Sequence, residues 1–224
     1  MCNLSGAHLI GSVSLPDRDT VFTRLSDQLG PWLKRLPDGD TGERSRWIYW
    51  LREMLMAHPA FKAAADHPSI TLHEWDGRFL PTLEYLRPKD GIDPETVVAE
   101  CGYAATAIDF YKRFKEQQAE GKVGPDVRFQ VALPTPLASG YMYIAPDSLA
   151  DYLAIYERAL LAEVAEIVAA IPHEDLSIQW DVCQAVLIWE EHYPRSATGP
   201  TITSRRSPRK WICVRSSRFS ISSM

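Results

Sequence analysis

The chain has no apolar run approaching the length of about 18 residues that marks a membrane-spanning helix, so neither a span nor a membrane partner is expected. Its N-terminus lacks a basic region followed by an apolar stretch, and no signal peptide is expected either. Cysteine is scarce: Cys2, Cys101, Cys183 and Cys213 form no Cys-x-x-Cys pair and no spacing that suggests a disulfide framework. That usage points to a reducing, cytoplasmic setting. There is no GxGxxG after the first apolar run, no P-loop, no Ser-His-Asp spacing and no glycosidase-like carboxylate pair. His-x-Cys occurs nowhere.

Acidic residues are absent from one region altogether. Residues 195–224 hold seven of the 24 Lys and Arg and none of the 29 Asp and Glu, leaving residues 1–194 with 17 basic and 29 acidic groups, a net −12. An acidic body argues against nucleic acid as the main partner. The segment 195–224 carries eight Ser and six Arg without helical or strand periodicity. It reads as a basic arm for nucleic acid or anionic lipid, as a disordered tail, or as out-of-frame translation, which often yields Ser/Arg-rich text. The favoured reading is out-of-frame translation, which makes the segment a tail unrelated to the preceding residues and expected to be disordered.

The body alternates strand and helix patterns. Residues 8–15 (HLIGSVSL) read as a first strand, with Gly11-Ser12 near its end. Asp17 or Asp19 can cap a helix to about Leu29 whose face is Val21, Phe22, Leu25 and Leu29, and Gly30-Pro31 stops it. Residues 32–36 read as a second strand, closed by LPDGDTGER, and a helix follows over 45–57. Residues 70–75 and 82–86 suggest an inserted hairpin around Asp76-Gly77. Asp93-Pro94 predicts a helix to about Gln118. Residues 127–133 alternate as a third core strand and end in a polar loop, PTPLASGY; Ser148 and Asp151 form a capping box that opens a helix to Ile171. Residues 176–183 (LSIQWDVC) are the fourth core strand, ending on Asp181, and a last helix starts near Gln184.

This order predicts an α/β fold with a parallel sheet. The specific expectation is a (β/α)8 TIM-barrel type, truncated after the fourth core strand, over residues 1–194. In such a barrel the strand C-termini hold ligands. Gly11-Ser12 and the loops 38–44, 134–141 and 181–183 would share one rim. A carboxylate at Asp181 can hold an amino group there; alternatively it caps the next turn.

Ile10-Gly11-Ser12, Gly39-Asp40-Thr41-Gly42-Glu43-Arg44, Leu133-Pro134-Thr135-Pro136 and Ile178-Gln179-Trp180-Asp181, in that order, resemble the catalytic-domain landmarks of cobalamin-independent methionine synthase. They more closely resemble its relatives in the uroporphyrinogen decarboxylase/methionine synthase-like superfamily. The resemblance implies methyl transfer from a methylated folate to a thiol such as homocysteine, with zinc as the family's metal. It implies substrate binding by the backbone of Ile10, Gly11 and Ser12 at the amino-acid carboxylate, and by Asp40 and Asp181 at the ammonium. An ammonium between two carboxylates keeps its proton and is oriented by charge-assisted hydrogen bonds. The chain departs from the family in lacking His-x-Cys, in reading Asp181-Val182-Cys183 where the synthases read Asp-Glu-Pro, and in having Asp40 where they have Glu. No metal and no cofactor are therefore expected in this chain, no catalytic residue is assigned, and the truncated form is expected to be inactive. The alternatives are a tetrapyrrole decarboxylase-like enzyme and a non-enzymatic truncated product. Exposed strand edges would favour homo-oligomers.

Overall fold

The structure is a computed structural model that describes residues 6–69 and 83–189. Helix α1 (Arg18–Leu29) begins as predicted: Asp17 accepts the Thr20 N–H at 2.7 Å. Val21, Phe22 and Leu25 form its buried face. After a 3-10 turn at Gly30–Trp32 comes strand β1 (Arg35–Pro37), then a 3-10 helix at Gly42–Arg46 and helix α2 (Trp47–Ala57). Strands β2 (Phe61–Ala63) and β3 (Leu86–Pro88) pair antiparallel. Helix α3 is Tyr103–Ala119 and strand β4 is Arg128–Pro134. Helices α4 (Pro136–Tyr143) and α5 (Leu149–Ala170) lead to strand β5 (Leu176–Asp181) and helix α6 (Cys183–Trp189).

β1, β4 and β5 form one parallel sheet in the order β1-β4-β5. The central strand β4 is buried on both sides. Phe129 meets Phe22 of α1 and Phe114 of α3 with ring centroids 6.2 and 5.4 Å apart, so α1 and α3 cover that face. Gln130 and Ala132 alternate to the opposite face, towards the segment before α1: the Gln130 side-chain amide donates to the Leu9 carbonyl at 2.7 Å.

Two features correct the expected architecture. The sheet is open and three-stranded, accompanied by a separate two-stranded antiparallel sheet, and no barrel closes among the described residues. Four core strands are not formed, because residues 8–15 do not make a ladder. Only Ala7 bridges Leu33. Leu9 is held by the Gln130 side chain, and the Val13 N–H donates to the Gly39 carbonyl at 3.0 Å. Those bonds secure the segment without strand pairing. Gly11, at φ 149°, takes it out of extended geometry.

The helix expected from Pro94 is also broken. Asp93 caps only a single 3-10 turn at Pro94–Thr96, and α3 starts at Tyr103 after Gly102 at φ 75°. The backbone there is captured from α5: the Glu163 carboxylate accepts the N–H groups of Cys101, Gly102 and Ala104. The predicted loop after β4 is helix α4, with Pro136 at its first position. Ser148 does not cap α5 but donates to Asp147 at 2.9 Å. The expected hairpin turn at Asp76-Gly77 and the segment 195–224 lie outside the described residues. Leu86 does pair antiparallel, with Ala63. Among the described residues no helix is long and apolar enough to cross a membrane.

Candidate functional site

Parallel pairing puts the C-terminal ends of β1, β4 and β5 on one side of the sheet. β1 opens there into Asp38, β4 ends on Pro134 and β5 ends on Asp181, while residues 10–12 cross in front. Between them lies a cleft of about 450 Å³, within the range of roughly 300–1,000 Å³ of small-molecule sites. Ile10, Gly11, Ser12, Asp40 and Asp181 all line it, so the structure brings the five sequence-predicted residues together. Ile10 stands at its exposed rim, 76% accessible.

The floor of the cleft is a buried ion cluster made by one turn of chain. Asp38, fully buried, accepts the Asp40 N–H at 3.2 Å on one oxygen and the Arg44 guanidinium at 3.1 Å on the other. Arg44 also donates to Asp40 at 2.6 Å, and the second Asp40 oxygen accepts the Ser12 hydroxyl at 2.7 Å. The turn needs left-handed backbone at three positions: Gly39 at φ 83°, Asp40 at φ 48° and Gly42 at φ 69°. Gly39 is also required by space, since a Cβ there would lie 2.8 Å from Val21 Cγ2. Asp40 is the described non-glycine residue held at positive φ, a strain of order 1–3 kcal/mol that the surrounding bonds hold in place. Beneath Arg44 lies the Tyr103 ring, its centroid 5.8 Å from the guanidinium carbon.

Charge in this cluster does not balance. Arg44 faces two carboxylates, and Asp181 adds a third negative charge at the wall. Burial pushes the Asp40 carboxyl above its ordinary range, and Asp38 and Asp181 push the same way, against the opposing pull of Arg44 and Ser12. For Arg44, burial works against the charge, but Asp38 and Asp40 outweigh it and raise its pKa. The site therefore keeps its one cation and crowds three carboxyl groups around it, with Asp40 and Asp181 on the cleft side. A bound cation relieves that crowding of acids; a bound anion worsens it.

Asp181 has both sequence-predicted features: it lines the cleft, and its side chain accepts the Cys183 N–H at 2.9 Å as the strand-end cap. The Cys183 thiol is pushed up to about 11 by burial and by Asp181, and the Cys101 thiol to about 12 by burial and Glu163. Both are protonated at neutral pH. Among the described residues no three His, Cys, Asp or Glu side chains group as metal ligands. The zinc implied by the resemblance has no ligand set among these residues.

Sequence reasoning placed Asp38 and Arg44 in a rim loop and Trp180 in a landmark motif without giving them a role, and missed Trp50 and Tyr103 as parts of the site. Asp38 and Arg44 stand in the same DGDTGER stretch as Asp40, and their opposite charges inside a glycine-rich turn were the available signal. Trp50 and Tyr103 sit on helices, where they read as ordinary core positions; in the structure both line the cleft and pack edge to face, 5.4 Å apart. Comparison of the chain with models of protein families, with curated proteins and with solved structures returned no match.

Proposed function

We propose that the cleft binds a small molecule through a cationic amino group, an amino-acid thiol of the homocysteine kind, and that the ancestral reaction at this site was methyl transfer to that thiol, which this chain is not expected to carry out. The observation that carries the binding part is the unbalanced charge of the Asp38, Asp40 and Arg44 cluster, open to the cleft on the Asp40 side with Asp181 facing it. An ammonium seated between Asp40 and Asp181 would keep its proton, restore the balance and gain charge-assisted hydrogen bonds. The absent Cβ of Gly11 leaves room at Asp40: a Cβ there would stand 3.6 Å from the Asp40 Oδ2 and 3.1 Å from Ala132 Cβ. The Gly11-Ser12 backbone borders the same space and would face the substrate carboxylate.

The methyl-transfer part rests on the sequence resemblance. The described residues contribute recognition of the amino acid and no activation of its thiol. A tetrapyrrole bearing several carboxylates fits less well: the cation of the cleft, Arg44, is already engaged by two acids, and Asp40 and Asp181 would repel the substrate.

Isothermal titration of the protein with homocysteine and with its des-amino analogue, mercaptobutanoate, tests the reading. A charged hydrogen bond contributes about 1.5–3 kcal/mol, so homocysteine is expected to bind at least about tenfold more tightly. Equal affinities would overturn it.

A further inference from the structure

Glu163 is 7% exposed in the middle of α5, yet its carboxylate does not serve its own helix. It crosses to the start of α3, where one oxygen accepts the N–H groups of Cys101 and Gly102 (the latter at 2.7 Å) and the other accepts that of Ala104 at 2.6 Å. A buried carboxylate is costly unless fully hydrogen-bonded, and these three donors bracket one residue, Tyr103. Seven positions earlier on α5, two turns along the same face, the Tyr156 hydroxyl lies 3.0 Å from that of Tyr103. α5 thus holds Tyr103 at both ends, by backbone and by phenol. What Tyr103 presents in between is the ring that packs beneath Arg44 and meets Trp50 edge to face.

We propose that Glu163 and Tyr156 are positioning residues for the cleft, acting through Tyr103 to hold the Arg44 guanidinium against Asp38 and Asp40. The physical content is preorganisation: a site is held to its geometry by neighbours whose own conformations are locked by packing and hydrogen bonds. Arg44 has two carboxylates to pull it forward and needs a rigid surface behind it. Tyr103 is that surface, and α5 makes it rigid. This inference rests on the cluster's geometry rather than on any ligand, and it stands or falls separately from the function proposed above.

The test is the mobility of one side chain. In full-length protein with nitrogen-labelled arginine, the Arg44 guanidinium, assigned through Arg44→Lys, should show slow N–H exchange and hindered rotation compared with the exposed Arg24. Glu163→Gln replaces one acceptor with a donor facing backbone N–H groups, and Tyr156→Phe removes a single oxygen. Each should quicken Arg44 exchange and rotation by about fivefold, the scale of one lost hydrogen bond, with Arg24 unchanged. If Glu163 merely caps a helix and Tyr156 merely fills core, the melting temperature will fall while Arg44 keeps its native rates. An unchanged Arg44 in either folded variant overturns the proposal. Should Glu163→Gln fail to fold, Tyr156→Phe decides alone.

Discussion

Replacing Arg44 by Met removes the cation from a cluster in which Asp38 is fully buried and Asp40 is 8% exposed. Met keeps much of the packing against Tyr103 and offers no donor. Two carboxylates then share an interior site with no counter-charge. Breaking a buried pair in this way costs about 3–5 kcal/mol, and for a chain of this length each kcal/mol lowers the melting temperature by about 2–4 °C. A drop on the order of 10 °C near neutral pH follows.

The loss must also depend on pH. Asp40 already titrates above the ordinary aspartate value of 3.8, chiefly through burial and then through Asp38, and Arg44 opposes both. Without Arg44 its folded pKa rises further. A carboxyl with a raised folded pKa adds stability that is fully present below the unfolded value and is lost as pH rises through the folded one. The deficit of the variant should therefore be smallest near pH 4 and grow towards pH 7. Urea unfolding of both proteins at about those two pH values measures it. A deficit below about 1 kcal/mol at neutral pH, or one that is equal at both, would refute the buried-cluster account.

Ser12→Ala should raise the Asp40 carboxyl pKa further by removing the 2.7 Å hydrogen bond that lowers it, a shift readable by carboxyl-carbon NMR, at a stability cost of about 1 kcal/mol. Gly39→Ala should destabilise by at least about 1–3 kcal/mol, from φ 83° and the 2.8 Å contact with Val21, measured by urea unfolding; a neutral result would mean the turn can adopt another geometry.

Elements with strong local periodicity were legible in the sequence. Asp17 and the Val21, Phe22, Leu25 face define α1, and the apolar runs around Val131 and Ile178 define β4 and β5. The errors arise where a distant side chain overrides local preference. Residues 8–15 carry a strand pattern, but Gln130, more than a hundred residues away, takes the Leu9 carbonyl and no ladder forms. Pro94 and Val97 begin a helical pattern, but Glu163 fixes the start of α3 at Tyr103. The expected barrel failed for a related reason: order of elements predicts parallel pairing, which β1, β4 and β5 show, but says little about how many strands join or whether they close. At the site, residues just after strands were legible because parallel topology gathers such positions. Tyr103 and Trp50 were not, because a helical aromatic that lines a cleft and one that fills a core follow the same spacing.

The most direct test of the central claim is the affinity of homocysteine for the native protein and for Asp181→Asn, measured by titration calorimetry alongside a thermal melt. Asn keeps the size of the side chain and an oxygen able to accept the Cys183 N–H, while removing the charge. The account predicts an affinity weakened by about 1.5–3 kcal/mol, roughly ten- to a hundredfold, with a nearly unchanged melting temperature. An unchanged affinity together with a collapsed melting temperature would contradict it and leave Asp181 as the cap of a strand end.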